Sequence, residues 1–253
     1  MQYSEENTIE RFKKINIHSW ESIKDSVVVH LINSKYISSY NQDLYYINIL
    51  DLAMVFAILE KEKGELKVYY LSKKDLERYG VSEEELKNTA IKNTENSRRK
   101  RLVLLSESIA MTNMLYPVLV KSNDFSMGAG GETGTVGILK DMSDGKQNIL
   151  TVVNKNMFFG SQYMFLPSVL DEVYARFNRE NFYILPMSRH QVWFVRRGYI
   201  THDESKWWQY AEDDLLDMLE EFNDTQNKSW RDILSYKIYY YTGDDGNRIV
   251  PID

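Results

Sequence analysis

Residues 149–196 read ILTVVNKNMFFGSQYMFLPSVLDEVYARFNRENFYILPMSRHQVWFVR, and this stretch decides the fold class. Ile149 to Val153 is a short apolar run closed by Asn154-Lys155-Asn156, residues that tolerate left-handed turns. Met157 to Leu166 then resumes as an aromatic-rich strand, so the two arms are expected to form a hairpin. Pro167 presets a helical φ at the start of a helix that Ser168 can cap. Val169, Leu170, Val173, Tyr174 and Phe177 recur at spacings of three and four, the apolar stripe of an amphipathic helix. Phe182 to Leu185 and Gln191 to Val195 are two further strands, joined through Pro186-Met187-Ser188-Arg189, with the proline ending the first. A hairpin-helix-hairpin module needs a sheet for its helix to cover. The expected fold is therefore α+β, a largely antiparallel sheet with helices packed on it.

Outward from this module the signals are mostly caps and periodicities. Asn7 or Thr8 can cap a short helix to Lys14, and Ser19 opens a second with Trp20, Ile23, Val27 and Leu31 on one face. DLAMVFAILE (51–60), followed by Leu66 to Leu71, reads as a hairpin around Gly64, although the composition of the first arm also suits a helix. Ser72 with Asp75 caps a short helix stopped by Gly80, and Ser82-Glu83-Glu84-Glu85 is a capping box opening the next, through about Asn93. Tyr210 to Phe222 is a strongly acidic helix with Trp208, Ala211, Leu215, Leu219 and Phe222 on one face. Ser235 to Thr242 is a strand that turns at Asp244-Asp245-Gly246 into Arg248 to Pro251. TENSRRKR (94–101) and the glycine-rich SMGAGGETGTVGILKDMSDGK (126–146) break the pattern. The chain reads as one continuous domain over 1–253 with an irregular insert at about 106–148, any internal boundary falling near 94–148.

Composition narrows the function classes. The 253 residues are 43% hydrophobic and 13% aromatic, with 18 Tyr and 5 Trp, enough for a sizeable core. Lys and Arg total 31 against 37 Asp and Glu, and the net charge of −6 opposes general affinity for nucleic-acid phosphates or anionic lipid. Cysteine is absent, which removes disulfides, thiolate nucleophiles, Fe-S clusters and cysteine-ligated zinc. The start, MQYSEENTIERFKK, has no apolar signal-peptide core, and no run reaches the length of a membrane span. A cytoplasmic protein away from the membrane is expected.

Reactive constellations are sparse. His18, His30, His190 and His202 are scattered, with no pair at helical ligand spacing, so no metal is expected. His190 sits at a strand mouth beside Arg189 and Ser188, where an imidazole can act as a base; the simpler reading is a turn histidine bonded to backbone. MGAGGETGTVG (127–137) lacks both the Gly-Lys-Ser/Thr and the GxGxxG context of a phosphate loop, so it reads as a loop and no cofactor is expected. Arg98-Arg99-Lys100-Arg101 has no accompanying nucleic-acid signature and reads as a solvated linker. Ser97 with Lys100, and Ser143 with Lys146, match a serine-lysine spacing without its partner motifs. Trp207 and Trp208 open the acidic helix, and neighbours on a helix point about 100° apart. Both cannot face one core: boundary packing at the helix start is the simpler explanation, and the alternative is that one covers a partner or a groove. Arg189, His190 and Asn223 complete the candidate set: convergence in a pocket favours an enzyme, separation an interaction protein.

Four segments carry a family resemblance: WESIKDSVVVHLINSKY with LDLAMVFAIL, GVSEEELKNTAIKNT, NKNMFFGSQYMFLPSVLDEVYARFNRENFYILPMSRHQVWF, and LLDMLEEFNDTQNKSWRDILSYKIYYY. Together, over most of residues 12–241, they resemble the clostridial family called domain of unknown function 5688, with a fainter similarity to the YtpQ-type family of low-GC bacteria. Members usually carry a further N-terminal region, so the chain looks like the family core standing alone. Where the family tends to show Pro-Ser-Ser-x-His-Glu, this chain has Pro186-Met187-Ser188-Arg189-His190-Gln191, and without that carboxylate the resemblance implies no acid-base or metal role for the turn. It implies a bacterial setting and assigns no activity. The expected function is that of a non-enzymatic cytoplasmic interaction or accessory protein, with a protein partner, in an anaerobic bacterium or one of its mobile elements. The alternative is a small hydrolase or transferase using the His190 turn.

Overall fold

The computed structural model describes residues 3–5, 19–40, 43–62, 65–96, 100–104, 148–154, 160–200, 212–225, 229–243 and 248–252. The expected helix at 7–14, the glycine-rich insert up to Gln147, and the turn at 244–246 lie outside them. Two compact units divide the chain, Met1–Arg98 and Arg99–Asp253. Each holds its own sheet, and the fold is α+β.

In the first unit the organising strand is β4 (Leu52–Glu62). One edge pairs antiparallel with β2 (Val27–Asn33), from Val27↔Ile58 to Asn33↔Leu52. Its other edge pairs with β3 (Tyr46–Ile49) and then with β5 (Glu65–Tyr70), while β1 (Tyr3–Glu5) joins β5 in parallel. Leu52 to Ile58 are all buried, so β4 is covered on both faces, and this explains why its sequence shows an unbroken apolar run in place of an alternation. The hairpin reading of 51–71 holds.

The helix expected from Ser19 is different. It is a single turn, α1 (Trp20–Ile23), followed by a 3₁₀ turn at Lys24–Ser26, and Val27 and Leu31 belong to β2. Three successive valines lose side-chain freedom in a helix and pack well on a pleated surface, so sheet pairing overrides the helical spacing. Among the described residues β2 is an edge strand, and α4 (Glu83–Glu95) covers it. Val29 N–H donates to Thr94 Oγ1 at 2.9 Å, and Asn93 Nδ2 donates to the carbonyls of Lys24 and Val27 at 2.6 and 2.8 Å. These bonds satisfy backbone groups that an open edge would offer to another chain. A further single turn, α2 (Ile37–Tyr40), precedes β3. Helix α3 (Lys73–Tyr79) has the capping box expected from Ser72 and Asp75, and ends at Gly80 with φ 64°. Ser82 accepts from Glu85 N at 3.1 Å, while the Glu85 carboxylate accepts from Trp20 Nε1 at 2.8 Å.

The second unit is a six-stranded antiparallel sheet made of β6 (Lys100–Leu104), β7 (Ile149–Asn154), β8 (Phe182–Ser188), β9 (Gln191–Arg196), β10 (Ile238–Thr242) and β11 (Arg248–Ile252), in the order β11-β10-β8-β9-β7-β6. Helix α5 (Pro167–Arg176) packs against the even-numbered side chains of β8: Phe177, just past its end, meets Phe182 edge-to-face, and Phe182 stacks on Tyr241 at 4.6 Å. Helix α6 (Glu212–Thr225) packs Leu215, Met218 and Leu219 on Tyr183, Leu185 and Met187, the odd-numbered ones. Alternation along a strand sends these two sets to opposite faces.

Three local expectations are corrected here. Of the run 157–166, expected as the second arm of a hairpin with β7, residues 160–166 form no strand, and β7 pairs with β6 and β9. The described part of the run folds into a buried 3₁₀ turn, Gly160–Tyr163. The reason lies at Gly160, whose N–H donates to the His190 carbonyl at 3.0 Å. A Cβ there would stand 2.6 Å from that oxygen and 2.7 Å from the Val152 carbonyl oxygen, so only glycine lets the backbone approach so closely. Ser168 does not cap α5. Leu166 holds the N-cap position without a side-chain bond, and Pro167 starts the helix. Finally, β8 continues through Pro186 to Ser188. The register gains one residue between Leu185↔Trp193 and Ser188↔Gln191, a bulge that accommodates the missing proline donor.

Candidate functional site

The β8–β9 turn presents Ser188, Arg189 and His190 between two irregular segments. On one side Ser161 Oγ donates to the Arg189 carbonyl at 2.5 Å, beside the Gly160 bond already described. On the other, Arg189 N–H donates to the Asp232 carbonyl at 3.0 Å. The side chains follow the same path. Arg189 NH2 lies 3.3 Å from Asp232 Oδ1, and His190 Nε2 lies 3.5 Å from the same oxygen. Arg189 is 1% exposed, His190 and Asp232 24% each. The His190 backbone N–H donates to Ser188 Oγ at 3.1 Å.

Asp232 therefore meets a guanidinium and an imidazole on one oxygen. Burial pushes its carboxyl up, but the hydrogen bond from His190 and the charge of Arg189 outweigh that, and the group is held below its ordinary value. Removing the carboxylate would take a counter-charge from the buried Arg189 guanidinium, the costly way to break such a pair. Chemically, an imidazole beside a carboxylate can be oriented for proton transfer, and both groups reach solvent.

The third candidate, Asn223, does a different job. From the last turn of α6 its Nδ2 donates to the Ser235 carbonyl at 2.8 Å, fully buried, tying the helix end to the chain that enters β10. The structure thus brings Arg189 and His190 together on Asp232 and gives Asn223 a separate backbone partner. Trp207 and Trp208, like His18, His202 and the run 127–137, lie outside the described residues. His30 is buried in β2 with its ring edge-on to Tyr70. The basic cluster is corrected in part: Lys100 and Arg101 are not linker but open β6, paired with Asn154 and Val153. Among the described residues no three metal-binding side chains gather. Asp232 escaped the sequence reading because it stands 43 residues from Arg189 in a stretch with no motif.

Helix α6 has a second property. Glu212, Asp213, Asp214, Asp217, Glu220, Glu221 and Asp224 make seven acids in 14 residues, with no basic residue among them. Asp213, Asp214, Asp217, Glu220 and Asp224 are exposed. Acids in the first turn suit the helix dipole, but Glu220, Glu221 and Asp224 sit at its negative end. Pairs such as Asp213 with Asp217 and Glu220 with Asp224 repel at i,i+4 spacing, each costing about 0.2–0.5 kcal/mol. Helix stability does not account for this face. No helix among the described residues is long and apolar enough to cross a membrane.

Compared with known proteins, one family model, described as Family of unknown function (DUF5688), matches residues 1–243. No curated protein and no solved structure matches the chain.

Proposed function

The chain belongs to the DUF5688 family, and from that premise we propose that it is a protein-interaction module whose α6 offers an acidic face to a basic partner. The observation that supports this reading is the set of seven acids without a basic residue in α6, three of them at the end where they cost helix stability. A surface charge kept against stability is the pattern expected of a binding face, since complementary charge steers encounter and selects partners. The fate of the candidate turn points the same way, because Arg189 and Asn223 are engaged in internal bonds. The setting we propose is the bacterial cytoplasm, in an accessory role for the host or a mobile element. The test compares capture of basic proteins by the full chain and by a variant carrying Asp213→Asn, Asp217→Asn and Glu220→Gln. The reading expects specific partners to be lost from the variant and from wild type in about 0.5 M salt, where screening shortens the reach of exposed charges to a few ångströms. Retention of the same partners by the variant would overturn it.

A second reading, a small hydrolase or transferase, draws on the partly exposed His190–Asp232 pair. Its weakness is that Arg189 occupies the same carboxylate oxygen. It predicts that His190→Ala lowers turnover of a screened ester or phosphoester substrate by about two to four orders of magnitude, with partner capture unchanged.

A further inference from the structure

We draw no further inference here: the strongest candidate, the β3–β4 hairpin where Tyr46 at the start of β3 and the left-handed Leu50 at the turn stand exposed, offers unpartnered apolar surface, and nothing in the structure shows what covers it.

Discussion

Replacing Gly160 with alanine adds a methyl group 2.6 Å from the His190 carbonyl oxygen and 2.7 Å from the Val152 carbonyl oxygen. Comfortable contact begins at about 3.5 Å, so the 160–163 turn must retreat by roughly 0.8 Å. Both obstacles are backbone, one in β7 and one in the β8–β9 turn, and neither can swing aside as a side-chain tip could. Retreat stretches the Gly160 N–H bond to His190, worth about 0.5–1.5 kcal/mol net, and adds overpacking strain of about 1–3 kcal/mol. Together these predict a loss of about 2–4 kcal/mol. At about 2–4 °C per kcal/mol for a unit of this size, Tm falls by roughly 5–15 °C. Differential scanning calorimetry of the full chain measures it, with two controls. Gly198→Ala meets first the Glu180 carboxylate, the far end of a side chain, and should cost within about 1 kcal/mol. Gly80→Ala meets nothing within 4 Å but inherits φ 64°, and should cost about 1–2 kcal/mol in the first unit. A Gly160→Ala protein melting within about 2 °C of wild type would refute the close-approach argument and the account of why Gly160–Tyr163 is a turn.

Asp232→Asn should destabilise the second unit by at most about 3 kcal/mol, because it takes a counter-charge from the buried Arg189 while the partial exposure of Asp232 softens the loss; urea unfolding measures it. The Asp232 carboxyl is held below 3.8 in the folded chain, so the stability it contributes is present above about pH 4 and fades as pH falls through the lower folded value. Melts from pH 6 down to 2 should therefore fall more steeply for wild type than for Asp232→Asn. Burial pushes Tyr45 and Tyr183 up to about 12 from 10.0; a contact with Glu83 adds to the shift at Tyr45, and Arg197 opposes it at Tyr183. Their contribution is full below pH 10 and lost towards pH 12, so tyrosinate absorbance should show a late fraction rising together with alkaline unfolding, and an early titration of all tyrosines in a folded chain would contradict it. Neutralising Glu220 and Asp224 should raise stability by about 0.3–1 kcal/mol while weakening capture of a basic partner, and thermal melts beside the capture assay would detect a change of the wrong sign in either.

What the sequence determined by itself is the part of the fold written in short-range chemistry. The Ser72–Asp75 box, the left-handed Gly80, the stripe from Val169 to Phe177 and the hairpin of β8 and β9 each need only a few neighbouring residues to be recognised, because φ/ψ preference, capping and side-chain direction act within one turn or one pleat. The acidity of α6 is likewise a matter of counting. Tertiary structure decided the rest. Val27 to Leu31 carries a helical spacing, yet its partner Leu52–Ile58 lies in another part of the chain and pulls it into a sheet covered on both sides, where alternation disappears. The β6–β7 pairing closes across the whole insert, and no local signal encodes a partner at that distance. Gly160 is glycine because two carbonyls, one in β7 and one in the β8–β9 turn, approach it, and Asp232 becomes the partner of Arg189 and His190 only once the chain before β10 is laid against their turn. Contacts of that range gain their energy from burial and charge pairing in the assembled core, and a linear string of residues does not say which of many compatible partners the core will bring together.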